Sequence, residues 1–204
     1  RDWVPHRAAL GEESLEELNG VVISKAARSA FEITTIAGVE PALVAVNRLL
    51  HAKAMTLDEF KAQAAAHRDW PGSLTTNLVV HLADGRLESV GEDRFSFLAH
   101  RQGLVRPEPQ VKVFDERGNL VARVDFAWPE LGVFLEFDGR VKYEQHRREG
   151  ETLEEFLMRE KERQELVCQL TGWTCIRVTW AQLAQPALLA TRIRKVIASR
   201  NKVA

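Results

Sequence analysis

Acidic residues interrupt two strand-like runs in the segment 123–143, RVDFAWPELGVFLEFDGRVKY. Asp125 falls inside Val121 to Phe126, and Glu136 and Asp138 fall inside Val133 to Asp138, on either side of a Trp128-Pro129 turn. In a strand, side chains two apart share a face, so Glu136 and Asp138 point one way while Val133, Leu135 and Phe137 point the other. Glu136 is flanked by Leu135 and Phe137 and needs either a partner or a cleft, because burying a lone charge is costly.

If Pro129 to Gly132 closes a hairpin, Asp125 lies opposite the second strand and three carboxylates meet within a few ångströms. Like charges that close repel unless a cation joins them. Hard carboxylate oxygens suit Mg²⁺ or Mn²⁺, and Lys142, four residues beyond Asp138, adds a positive charge nearby. Such a constellation points to metal-assisted phosphodiester cleavage. Two simpler roles compete with it: Asp125 as a turn or edge residue, and Asp138-Gly139 as turn chemistry.

Asp125, Glu136-Phe137-Asp138-Gly139, the continuation Arg140-Val141-Lys142-Tyr143 and the later Gly172-Trp173 together resemble the very-short-patch-repair-like branch of the PD-(D/E)XK nuclease superfamily. The match is closest to actinobacterial proteins in which this domain follows regions similar to type IV toxin-antitoxin (AbiEi-like) antitoxins. It covers about residues 85–200. His6-Arg7 and the stretch from Ser24 to Ser29 resemble that family's middle region.

The resemblance implies a fold of the α/β class, with a mostly helical antitoxin-like region over 1–84 followed by a restriction-endonuclease-like mixed sheet flanked by helices over 85–204. It implies a Mg²⁺- or Mn²⁺-dependent DNA endonuclease with Asp125, Glu136 and Asp138 at the metal. Lys142 would steady the attacking water or the developing phosphorane charge, and a first-helix glutamate would orient the water: Glu88, with Glu92 as the alternate. The superfamily's lysine commonly stands two residues after the glutamate. Here that position is Asp138, which makes Lys142 a displaced lysine. The chain begins with Arg1, and the resemblance implies an upstream winged helix-turn-helix segment.

A formal net charge of −1 over 204 residues excludes a surface that attracts nucleic acid everywhere, so DNA contact falls to local basic clusters. Arg140, Lys142, His146, Arg147 and Arg148 form one beside the carboxylates, and 192–202 form a second, more simply read as a solvated face. No apolar run is long enough for a membrane helix and no signal peptide is present, which favours a cytoplasmic location. Cys168 and Cys175 make neither a disulfide framework nor a zinc site and read as small core residues.

Along the chain, Asp2 to His6 and Gly20 to Ser24 read as extended pieces around a polar, Glu-rich connection. Ser24 offers an N-cap for a helix to Ile36; further helices are expected from about Gly38 to Ala54, from the Thr56/Glu59 capping box to Arg68, and over 73–83. His51, His67 and His81 are too scattered for a metal site and read as surface or capping residues. A helix over 87–103 is expected to bury Leu87, Val90, Phe97 and Leu98. Strands at 110–114, 121–126 and 133–138 make a meander, a long helix over 151–170 carries a stripe of Leu153, Phe156, Leu157, Val167 and Leu170, and a strand over 173–180 precedes a last helix over 186–199. Glu160 and Gln164, on the side of that stripe, either line the site or bond to the sheet; Arg177 and Thr179 either face phosphates or cover a sheet edge.

Two functions follow. One is the metal-dependent endonuclease. The other is a non-catalytic, DNA-binding regulator or antitoxin that keeps the nuclease fold as a scaffold, motivated by Asp138 at the lysine position. The Ala- and Leu-rich helices before residue 84 also permit a partner-binding module, without indicating one.

Overall fold

The computed structural model describes residues 11–138 and 150–200. The chain forms two compact units, one up to Gly85 and one from Arg86. It is mixed α/β, with helices and two separate sheets.

In the first unit the Glu-rich connection is itself a strand. β1 (Leu15–Leu18) pairs antiparallel with β2 (Val21–Ser24). The two-residue turn between them is Asn19-Gly20, with φ of 51° and 79°, the left-handed backbone that closes a tight hairpin. Register was set here by turn chemistry, which outweighed the low strand propensity of glutamate. The extended piece expected at Asp2 to His6 lies outside the described residues.

Four helices follow: α1 (Ala26–Ile36), α2 (Val39–His51), α3 (Leu57–Ala66) and α4 (Ser73–Leu82). Ser24 ends β2, and Lys25 rather than Ser24 stands at the N-cap of α1, so that helix starts without a side-chain cap. Packing of Phe31, Leu43, Val46, Phe60 and Val79 holds it in place of a cap. Thr56 and Glu59 do form the reciprocal capping box at α3. Arg28, 1% exposed, is enclosed: its Nε donates to Glu32 at 2.8 Å and its guanidinium lies 4.8 Å from the Trp70 ring centroid. His67 is the C-cap of α3, as a capping role requires, and it also packs at a tilt on Phe31, meets Trp70 edge-on and lies 2.7 Å from Arg28 Nη1. A guanidinium only donates, so the His67 Nε2 accepts and its Nδ1 donates to the Gln63 carbonyl.

The second unit opens with α5 (Val90–Arg101), shorter than the expected 87–103. Ser89 caps it, accepting from the Glu92 amide at 3.2 Å, while the Glu92 carboxylate reaches back to the Glu88 amide at 2.9 Å. That capping starts the helix at Val90 and leaves Leu87 and Glu88 in the preceding loop. The buried face is Phe95, Leu98 and Ala99, with Leu87 also buried; Val90, counted in the expected stripe, is 40% exposed.

Strands β3 (Glu108–Phe114), β4 (Leu120–Trp128) and β5 (Val133–Asp138) make the antiparallel meander. Asp115 organises the first turn, its carboxylate accepting from the Arg117 and Asn119 amides and from Asn119 Nδ2. Those bonds, the Asn119 side chain foremost, hold the Asp115 carboxyl below its usual range. α6 (Leu153–Thr171) crosses from β5 to β6 (Thr174–Thr179), which runs parallel to β5, giving the order β3-β4-β5-β6. Thr152 and Glu155 cap α6 reciprocally, and Gly172, at φ 68°, ends it where a β-carbon would be strained. A short α7 (Trp180–Leu183) and the closing α8 (Pro186–Arg200) follow.

Both faces of the sheet are covered. Phe126, Trp128, Val133, Leu135, Phe137, Ile176 and Val178 pack in one cluster with residues of α5, α7 and α8; Val113, Ala122, Val124, Ala127 and Phe134 pack with Val167 of α6. Val124 and Phe126, two apart, belong to different faces, so β4 turns over at Asp125. Gln110, at φ 57°, lies between the Pro109–Phe126 and Val111–Val124 pairs, so the β3–β4 pairing skips a step at the level of Asp125.

Candidate functional site

The alternation of β5 places Val133, Leu135 and Phe137 in the apolar cluster and Glu136 and Asp138 toward α6, as the period of two requires. The ladder between β4 and β5 ends at the Phe126–Leu135 pair. One step further, the Asp125 carboxylate replaces a backbone carbonyl: its Oδ2 accepts the Phe137 amide at 2.7 Å. Asp125 is thus fixed at the backbone between Glu136 and Asp138. On the far side of Phe137, Gly91 of α5 comes so close that a β-carbon there would sit 2.2 Å from the Phe137 ring.

Above Glu136 and Asp138 is a pocket lined also by Phe137, Phe156, Leu157, Glu160, Arg163 and Arg177. Glu136 is paired. Arg163 Nη2 lies 2.9 Å from each of its carboxylate oxygens, and the same guanidinium reaches Glu160 at 3.0 Å. Burial works to lower the Arg163 pKa, but the charges of Glu136 and Glu160 outweigh it and hold it above its ordinary value. Arg177, beside Glu136 in the parallel register, donates through Nε to Gln164 at 2.8 Å. Of the two roles open to Glu160 and Gln164, Glu160 lines the pocket and Gln164 bonds to the sheet.

Arg163 is the residue the sequence did not disclose. The stripe expected on α6 is shifted: only Phe156 and Val167 of it are buried, whereas Leu153, Leu157 and Leu170 are 50%, 43% and 36% exposed. The inward row is Phe156, Glu160, Arg163 and Val167, at spacings of four, three and four. That helical spacing was the available signal, masked because two of its four members are charged.

The expected first-helix glutamate divides in two. Glu88 precedes α5 on the surface, paired with Arg123 at 2.7 Å, and does not line the pocket. Glu92 is 1% exposed and accepts from Ser89 Oγ and Gln110 Nε2, both at 2.7 Å. Through Gln110 it is tied to the strand position facing Asp125. Lys142, Arg140, His146, Arg147 and Arg148 lie outside the described residues.

Among the described residues no three His, Cys, Asp or Glu side chains stand close enough together to hold a metal ion as they are. The chemistry of the donor set nevertheless fits a hard divalent cation. Glu136 and Asp138 offer only carboxylate oxygens to one pocket, Asp125 is bound to the backbone between them, and Glu160 on the facing helix is held with Glu136 by Arg163. Cys168 and Cys175 are free thiols packed beside the α6-facing cluster, and burial pushes Cys175 up to about 12. No helix among the described residues is long and apolar enough to cross a membrane.

The chain is 26% identical over 182 residues to two uncharacterized proteins of Mycobacterium tuberculosis, from strains CDC 1551 and H37Rv, covering 89% of this chain and 64% of each relative. It therefore spans a little under two thirds of their length. It matches no protein-family model and no solved structure.

Proposed function

We propose that the unit from Arg86 onward is a PD-(D/E)XK-type, Mg²⁺- or Mn²⁺-dependent endonuclease that hydrolyses phosphodiester bonds in DNA. The observation that carries this is the fixing of the Asp125 carboxylate on the Phe137 amide, between two carboxylates that face one pocket. A helix, a three-strand meander, a crossover helix and a parallel strand support it as the mixed sheet that the resemblance implies.

A bound divalent cation would supply Lewis-acid stabilisation of the phosphoryl oxygens and a more acidic water. Asp125 and Glu136 would hold it, with Asp138 in support. Arg163 and Arg177 present positive charge to an anionic phosphodiester entering the same pocket. Lys142 keeps the role of a displaced lysine, and the basic run from Arg140 to Arg148 that of a DNA contact, in a cytoplasmic protein. For the helix glutamate, the tie through Gln110 favours Glu92 as the residue that positions Asp125, with Glu88 at the surface.

The Glu136–Arg163 ion pair favours a second reading, a DNA-binding regulator that keeps the fold as a scaffold, because an internal cation satisfies the carboxylate without metal. Calorimetric titration of Mg²⁺ and Mn²⁺ into the wild type and an Asp125→Asn/Glu136→Gln double variant, followed by plasmid nicking, separates the two. The nuclease loses metal binding and nicking together in the variant. A wild type that binds DNA in a steeply salt-dependent manner but neither metal nor nicks is the regulator.

A further inference from the structure

Arg163 occupies a distinctive position. One guanidinium nitrogen serves both oxygens of Glu136, and the same side chain already holds Glu160, three residues back on its own helix. The other arginines around it have other principal partners: Arg159 is held by Glu151 at 2.8 Å, with only a longer 3.5 Å contact to Glu160, and Arg177 by Gln164. The Arg163 side chain is 26% exposed and borders the open pocket, so it has room to turn. A guanidinium and a divalent cation on the same carboxylate repel strongly at such separations, so Glu136 holds one or the other.

We infer that Arg163 is an exchangeable counter-cation: it neutralises Glu136 in the metal-free pocket and, when a divalent cation takes Glu136, passes to Glu160 and to the substrate phosphodiester. This rests on the nuclease reading and adds a coupling to it. Metal entry frees the group that grips the DNA backbone, so each ligand favours the other. The resting pair also keeps two pocket carboxylates from repelling each other before metal arrives.

The test is Mn²⁺ titration of the full chain by calorimetry, with duplex-oligonucleotide anisotropy alongside. Arg163→Gln, which removes the competitor, binds Mn²⁺ roughly 3- to 10-fold more tightly than wild type, the factor expected for a partly exposed ion pair. The same variant loses the Mn²⁺-induced gain in DNA affinity. Glu160→Gln, which takes away the second resting place of Arg163, binds Mn²⁺ severalfold more weakly. The double variant Glu160→Gln/Arg163→Gln returns to the affinity of Arg163→Gln, because Glu160 acts through Arg163 rather than as a ligand.

Mn²⁺ binding by the wild type with Arg163→Gln no tighter overturns the exchange and leaves the nuclease standing. A double variant as weak as Glu160→Gln alone also overturns it, making Glu160 a direct ligand. No Mn²⁺ binding or nicking by the wild type overturns the nuclease reading itself. Should Arg163→Gln fail to fold, Arg163→Met takes its place in both the single and the double variant, and the same outcomes overturn the exchange.

Discussion

The Asp125 carboxylate accepts the main-chain amide of Phe137 at 2.7 Å, standing in for the carbonyl that a continued ladder between β4 and β5 would have offered. An acidic residue in mid-strand thereby has a structural duty, beside the metal-holding role proposed for it. Asp125→Asn keeps an acceptor and is expected to stay within about 1 kcal/mol of the wild type in urea unfolding, whereas Asp125→Ala strands the amide and costs about 1–3 kcal/mol. On the nuclease reading both are expected to lose Mn²⁺ binding and nicking. Equal activity in Asp125→Asn would remove Asp125 from the metal.

Glu136→Gln leaves Arg163 with Glu160 as its charged partner. Because Arg163 is partly exposed, the loss should be about 1–2 kcal/mol, short of that for a fully buried pair. Denaturant midpoints of Glu136→Gln, Arg163→Gln and the double variant measure the coupling, and strictly additive losses would show that the pair contributes nothing.

Gly91→Ala drives a β-carbon into the Phe137 ring, whose neighbours on both sides are Glu136 and Asp138. Overpacking of this kind costs about 1–3 kcal/mol. A lower melting temperature together with weakened Mn²⁺ binding is expected. Phe137→Leu in the same chain should restore part of both, and no loss on Gly91→Ala would mean that α5 does not pack this tightly on β5.

Burial raises the Cys175 thiol from an ordinary value of 9 to about 12. At pH 8 about one molecule in ten thousand carries the thiolate, so a disulfide reagent should react with native protein far more slowly than with guanidinium-unfolded protein. The folded state binds this proton more tightly than the unfolded state. Its contribution to stability is therefore complete below pH 9 and declines as pH rises toward 12. Cys175→Val should flatten that part of the stability profile; an unchanged alkaline decline would assign it elsewhere.

Much of the architecture follows from short-range rules acting on the sequence. The capping boxes at Thr56/Glu59 and Thr152/Glu155 fixed two helix starts, the period of two put Glu136 and Asp138 on one face, and the surface pair Lys161–Glu165, 3.8 Å apart and well exposed, obeyed its i,i+4 spacing. Hairpin turns at Asp115 to Asn119 and Pro129 to Gly132 set the meander.

Tertiary structure decided what those rules leave open. Which residues of α6 face the sheet depends on where β5 places Glu136, and its half-buried carboxylate draws the charged Arg163 inward. The end of the ladder at Asp125 and the left-handed Gln110 opposite it likewise arise from pairing across strands, which no local propensity records. Local sequence determined the elements and their faces because those depend on neighbours along the chain; the counter-ion of Glu136 was settled only when residues 27 positions apart were brought to 2.9 Å.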